Sequence, residues 1–215
     1  MPPKMASVAS SSRFCYLALR DGANSLGSNG TVKFEYECKI NGLQGIAPQL
    51  DAFIPADNIY VEAKCHEIFD SHRIRMKEKY WNLMFGENND WGIDIINKPE
   101  REYFDISLSV FGIEKKRSMF DIKQLLCHLL GIASQKESSE SATLVYLFFK
   151  PKMKKETDQN AIDEVFENLQ AEILEIFNSS PIQNFIKKHN ISLQAVAEYS
   201  SIMASLNENN IIILA

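Results

Sequence analysis

The sequence predicts an α/β protein of the α+β kind, with elements in the order α-β-β-β-α-β and a C-terminal α-α-β extension. Three observations carry this. Residues 31–40 alternate strictly, with Val32, Phe34, Tyr36, Cys38 and Ile40 on one face and Lys33, Glu35, Glu37 and Lys39 on the other, the period of a half-buried strand. Residues 49–64 set two runs of strand composition, Leu50/Ala52/Phe53/Ile54 and Ile59/Tyr60/Val61, around the turn-forming Pro55-Ala56-Asp57-Asn58. Thr143 to Phe149 is a continuous apolar run suited to a strand buried on both faces, and it is followed by apolar residues at helical spacing.

Taken in order, residues 1–12 are small and polar and are expected to form a loose terminus ahead of a single domain over 13–215. Phe14 to Leu19 begins a short helix, and the glycines and asparagines of Asp21 to Gly30 form a loop before the alternating strand. After the 49–64 hairpin, a basic segment from Arg73 to Lys79 leads into Tyr80–Phe85. Residues 86–118, punctuated by Gly, Asn and Pro, read as an insertion over the site. Ser118 with Asp121 three residues on resembles a capping box, and Phe120, Leu125, Leu126, Leu129 and Leu130 give a helical face ending at Gly131. Asn160 to Asn178 is an amphipathic helix, Ser180 and Pro181 open another that reaches His189, and Ser192 to Tyr199 alternates as a last strand.

The chemistry concentrates in the hairpin. A symmetric four-residue loop pairs Ile54 with Ile59, Phe53 with Tyr60, Ala52 with Val61 and Asp51 with Glu62. Directly opposed carboxylates, with Cβ atoms ~4.5–5.5 Å apart, repel unless a cation lies between them. Lys64 shares the face of Glu62 while Ala63 points the other way. The alternative is a solvated hairpin face with a Glu–Lys pair. The opposed carboxylates in an otherwise apolar hairpin favour a metal-dependent site.

Pro48 to Asp51, a gap of ten residues and then Glu62-Ala63-Lys64 resembles the PD-(D/E)XK nuclease superfamily of restriction endonucleases and RecB-type nucleases, with Pro48 three residues before Asp51 instead of adjacent to it. The resemblance implies a restriction-endonuclease-like core, a central mixed sheet flanked by helices. It implies Mg²⁺ or Mn²⁺ held by Asp51, Glu62 and the backbone carbonyl of Ala63, since hard oxygen ligands suit hard cations. Lys64 would position the attacking water. Glu37 or Glu35 is a further ligand, Glu37 being the choice between two residues on one face. Gln124 and His128, one helical turn apart, fall where RecB-type nucleases carry a Gln-x-x-x-Tyr pair, with His in the place of Tyr.

Composition sets the bounds. The 215-residue chain is 45% hydrophobic, enough for one substantial core, and no apolar run reaches the ~18 residues of a membrane span. Four cysteines, Cys15, Cys38, Cys65 and Cys127, lack metal-type spacing and read as reduced thiols of a cytoplasmic protein. A zinc site from Cys65, His66 and His72 is disfavoured because adjacent residues of an extended segment point to opposite sides. The net charge of −5 is unhelpful for binding nucleic acid, so local clusters matter more. There are three: Arg73, Arg75, Lys77 and Lys79; Lys115, Lys116 and Arg117; and Lys150, Lys152, Lys154 and Lys155. The expectation is a metal-dependent DNA endonuclease, with RNA as the other substrate and a homodimer left open. The alternative is an inert module of the same fold that binds nucleic acid or protein.

Overall fold

The hairpin read from residues 49–64 lies inside a mixed sheet in the computed structural model, which describes residues 11–22, 26–43, 47–65, 69–86, 89–93, 102–199 and 212–214. Strands β1 (Lys33–Glu37), β2 (Gln49–Ile54) and β3 (Ile59–Lys64) form an antiparallel meander. Strand β6 (Ala142–Lys150) joins β3 in parallel and β7 (Ile191–Tyr199) joins β6 in parallel, with the short β8 (Ile212–Leu214) antiparallel at the edge. The spatial order is β1-β2-β3-β6-β7-β8. A second, two-stranded sheet pairs β4 (Ile74–Lys77) with β5 (Tyr103–Ile106). The hairpin register is the expected one, Ile54 with Ile59, Phe53 with Tyr60 and Ala52 with Val61, around a 3₁₀ turn closed by Asn58 in the left-handed region.

Helices cover both faces of the central sheet. Helix α1 (Ser11–Leu19) packs on one face, where Phe14, Cys15, Ala18 and Leu19 bury against Ala52, Val61, Ala63, Val145 and Leu147. The other face carries α2 (Trp81–Phe85), α3 (Ile122–Gln135), α4 (Glu156–Phe177) and α5 (Ser180–Lys188), whose apolar residues close on Leu50, Tyr60, Leu144, Tyr146 and Phe148. The alternate residues of β6 therefore serve two cores, as the continuous apolar run predicts. No helix of the described residues is long and apolar enough to cross a membrane.

Several expectations are corrected. Ser11 and Ser12, placed in the loose terminus, belong to α1; residues 1–10 lie outside the described ones. The strict alternation of 31–40 breaks at Glu35, whose φ of 53° turns the chain over. Phe34, beside Ala52, therefore packs toward α1, while Tyr36, beside Leu50, packs toward α3. The basic segment 73–79 contains a strand, with Ile74 and Met76 buried and Arg75 and Lys77 exposed. The segment expected as an insertion supplies β5 and buries Trp91, Leu108, Phe111 and Ile113 in the main core.

Helix α3 does not stop at Gly131. It continues because the glycine is where α3 crosses β1's extension, and a Cβ there would lie 2.7 Å from the Cys38 carbonyl oxygen. A Gly→Ala change inside a helix ordinarily stabilises by up to about 1 kcal/mol. Here the close approach reverses the sign, and Gly131→Ala is expected to lower unfolding stability by about 1–3 kcal/mol, the usual cost of overpacking. A denaturant midpoint unchanged or raised would contradict this crossing.

Candidate active site

On β3 the side chains alternate between the two cores. Val61, Ala63 and Cys65 point toward α1, and Tyr60, Glu62 and Lys64 toward α3. Glu62 and Lys64 are thus a carboxylate and an ammonium on the interior face of a central strand, 4% and 8% exposed. Burial of charge costs several kcal/mol per ion unless partners and hydrogen bonds compensate. They do so here. Lys64 Nζ donates to Glu62 Oε1 at 2.7 Å, Gln124 Nε2 donates to the same oxygen at 2.7 Å, and Gln124 Oε1 accepts from Lys64 Nζ. One amide thereby satisfies both members of the ion pair.

Asp51 completes the group from the neighbouring strand. The β2–β3 pairing runs to Ala52 and Val61 and goes no further. The next ladder amide, Ala63 N–H, donates to Asp51 Oδ2 at 2.9 Å, so the side chain stands where a strand carbonyl would otherwise accept. Asp51 Oδ1 accepts from Ser12 Oγ of α1 at 2.7 Å. The expected Asp51–Glu62 ladder pair is therefore replaced by a splayed arrangement, at the point where Glu35 of the neighbouring β1 has positive φ. Burial and the Glu62 charge push the Asp51 carboxyl up to about 6, against the pull of Ser12, Ala63 N–H and Lys64.

His128 stands behind Glu62. It is buried, with Nδ1 3.3 Å from the Tyr146 hydroxyl and Nε2 3.8 Å from Glu62 Oε2. Burial, then the Lys64 charge, drive its pKa down to about 3, so the imidazole is neutral and Gln124 and His128 both face the same carboxylate. In front, a cleft of about 240 Å³ is lined by Lys64, His72, Met119, Phe120, Asp121, Gln124 and Phe148. Asp121, not Ser118, caps α3: its Oδ1 accepts from Gln124 N at 3.0 Å. Ser118 instead donates to the buried Glu172 Oε1 at 2.5 Å, and Phe120 N donates to that oxygen at 3.0 Å. This clamp from α4 fixes the turn from which α3, and Gln124 with it, departs.

The remaining expected residues are not all brought here. Glu37 is exposed, pairs with Gln49 and lines a separate groove with Lys39, Pro48 and Tyr80; it is absent from the charges that shift Asp51. Glu35, the other choice, is also exposed. Among the described residues no three His, Cys, Asp or Glu side chains group as metal ligands, and His66 lies outside those residues. Arg73 and Arg75 are exposed, Arg75 lying 5.0 Å over the Tyr103 ring and beside Asp105 in the ladder. Lys115, Lys116 and Arg117 are exposed, and Arg117 Nη1 donates to Ser71 Oγ at 3.0 Å, next to His72 of the cleft. Lys150 is committed elsewhere, buried and paired with Asp163 at 2.8 Å.

Sequence reasoning missed Ser12 and Asp121 as site residues and weighed His72 only as a disfavoured zinc ligand. Asp121 was signalled only as part of a cap, and nothing local marks Ser12. Compared with family models, curated proteins and solved structures, the chain finds no match, and the functional reading rests on this geometry.

The raised Asp51 carboxyl has a signed consequence. Its ordinary value is 3.8 and the folded chain holds the proton up to about pH 6, so across that window the folded state binds more protons and stability falls as pH rises. Above that window the penalty is constant, at most about 3 kcal/mol. Asp51→Asn, which removes the charge, should therefore be the more stable protein at neutral pH by up to that amount, with the advantage vanishing near pH 4. Paired thermal melts across this range check it, and a variant destabilised equally at every pH would contradict it.

Proposed function

We propose that the protein is a metal-dependent phosphodiesterase that cleaves nucleic acid, a DNA endonuclease of restriction-endonuclease type. The observation that carries this is the hydrogen-bonded triangle of Glu62, Lys64 and Gln124 set against Asp51 at the point where β2 and β3 part. Its setting supports the same reading: an antiparallel meander, then a helix carrying Gln124, then a strand parallel to the one bearing the carboxylates.

The donor set suits a small hard cation. Two carboxylates with a single ammonium among them leave an excess of negative charge, which adds to burial in raising the Asp51 carboxyl. Mg²⁺ characteristically takes one or two carboxylates and completes its shell with water and substrate phosphate, so a third acidic side chain is not required. Asp51 and Glu62 would hold Mg²⁺ or Mn²⁺. Because a strand residue presents its N–H and C=O to the same neighbour, the Ala63 carbonyl lies on the Asp51 side and would be the third protein ligand. When bound, the ion supplies Lewis-acid stabilisation of charge on the scissile phosphate and eases deprotonation of water. Lys64, held by Gln124, orients that water and the phosphate. His128, neutral and buried behind Glu62, adds no charge there.

Asp51→Asn, Glu62→Gln and Lys64→Met are expected to abolish Mg²⁺- or Mn²⁺-dependent cleavage of DNA while the fold is retained. Binding to the folded state alone raises stability. Either metal should therefore raise the melting temperature of the wild-type protein and of Lys64→Met, but not that of Asp51→Asn. Cleavage that persists in Asp51→Asn would contradict the assignment.

A second reading, an inert module of this architecture, draws on the net charge of −5, which opposes a polyanion. Substrate approach then depends on the exposed Lys115, Lys116 and Arg117, tethered beside the cleft through Ser71 and His72. Replacing all three with alanine should weaken DNA binding uniformly across sequences and flatten the slope of log affinity against log salt by up to about three. A wild-type protein that binds no nucleic acid at low salt favours the module instead.

A further inference from the structure

The cleft in front of Lys64 has a second basic side chain on its wall. His72 is held by its main chain, its N–H donating to the Ser118 carbonyl at 2.7 Å and its own carbonyl accepting from Ser118 N at 3.0 Å. Its imidazole is about one-quarter exposed, and its Nδ1 lies 3.8 Å from Asp121 Oδ2. The other oxygen of Asp121 is committed to the first turn of α3 through Gln124 N. The cap of that helix, Asp121, and its third residue, Gln124, therefore each face one nitrogen base on the same cleft, His72 at 3.8 Å and Lys64 through a hydrogen bond.

A carboxylate that faces one imidazole nitrogen leaves the other nitrogen to exchange a proton with a bound group. Nδ1 faces Asp121, so Nε2 is the atom available for that exchange. Lys64 serves the attacking water under the reading above, on which this inference rests, and in-line displacement needs a proton on the opposite side, at the leaving oxygen.

We infer that His72, oriented by Asp121, is the general acid of the phosphodiesterase reaction. Water adds to phosphorus as the bond from phosphorus to the leaving oxygen breaks. The electron pair of that bond stays on the leaving oxygen, which takes the proton from His72 Nε2. The proton shed by the attacking water passes to solvent, and solvent reprotonates the imidazole.

The test uses leaving groups that do not need an acid. DNA duplexes carry one linkage in which sulfur replaces the bridging 3′ oxygen, or in a second duplex the bridging 5′ oxygen, since a thiolate departs without a proton. Single-turnover cleavage at that linkage and at the ordinary one is measured for the wild type, His72→Asn, Asp121→Asn and Lys64→Met, each first shown to melt as a folded protein. His72→Asn should lose roughly 10²- to 10⁴-fold at the ordinary linkage, the usual worth of general acid catalysis, and recover to near the wild-type rate at one of the sulfur linkages. Asp121→Asn keeps a competent helix cap and should show a smaller loss that the same sulfur erases. Lys64→Met should be impaired at both. Equal fractional loss of His72→Asn at the ordinary and both sulfur linkages, or no loss at all, overturns the inference. A wild-type protein inert at every linkage overturns the phosphodiesterase reading and this step with it.

Discussion

Everything in this site depends on one compensation: the charge of Lys64 is taken out of water beside Glu62, and the Gln124 amide closes the pair by donating to one and accepting from the other. At 4% and 8% exposure neither ion recovers its hydration, so each is stable only while the other and the amide stay in register. That requirement locks α3 over β3. Asp51 then introduces a second negative charge that the triangle does not neutralise, and its carboxyl is raised first by burial and then by the Glu62 charge. Sites that store such a cost are those where a ligand is expected to relieve it.

The scaffold bears on the same spot from several directions. Glu172 on α4 holds Ser118 and Phe120 and so fixes where α3 begins. Its second oxygen is buried with no hydrogen-bond partner among the described residues, so the clamp is bought with an unmet acceptor. The His72–Ser118 bridge joins the segment after β3 to the same turn, which puts His72 on the cleft that Lys64 also lines. From below, α1 reaches Asp51 through Ser12. The carboxylate at the parting of two strands is thereby gripped by a helix from one face and by a strand amide in the plane of the sheet.

The hairpin was legible because two independent signals agreed: β composition on both arms and a turn whose length fixes the register, which the structure reproduces from Ile54 to Ala52. That Gln124 and His128 share one edge of α3 was legible as a helical spacing beside a leucine stripe. Other features depend on contacts that no local pattern encodes. The turn-over of β1 at Glu35 is a backbone choice of a residue that ordinarily avoids positive φ, and beside it Asp51 accepts from the Ala63 amide instead of pairing with Glu62. Gly131 looks like a helix stop until Cys38 is placed against it. His72 and Asp121 are 49 positions apart in number and meet only through the Ser118 bridge. Strand β4 is a different case. The period-two pattern Ile74, Met76 against Arg75, Lys77 was present in the sequence and was hidden by its basic character.

The central claim is that the uncompensated charge at Asp51 and Glu62 is a seat for a divalent metal. Crystals grown with Mn²⁺ and measured for anomalous scattering test it most directly. The account predicts one strong peak in contact with a carboxylate oxygen of Asp51, a carboxylate oxygen of Glu62 and the Ala63 carbonyl, with Lys64 still held by Gln124. Mn²⁺ bound elsewhere, with no peak between the two carboxylates, would contradict it.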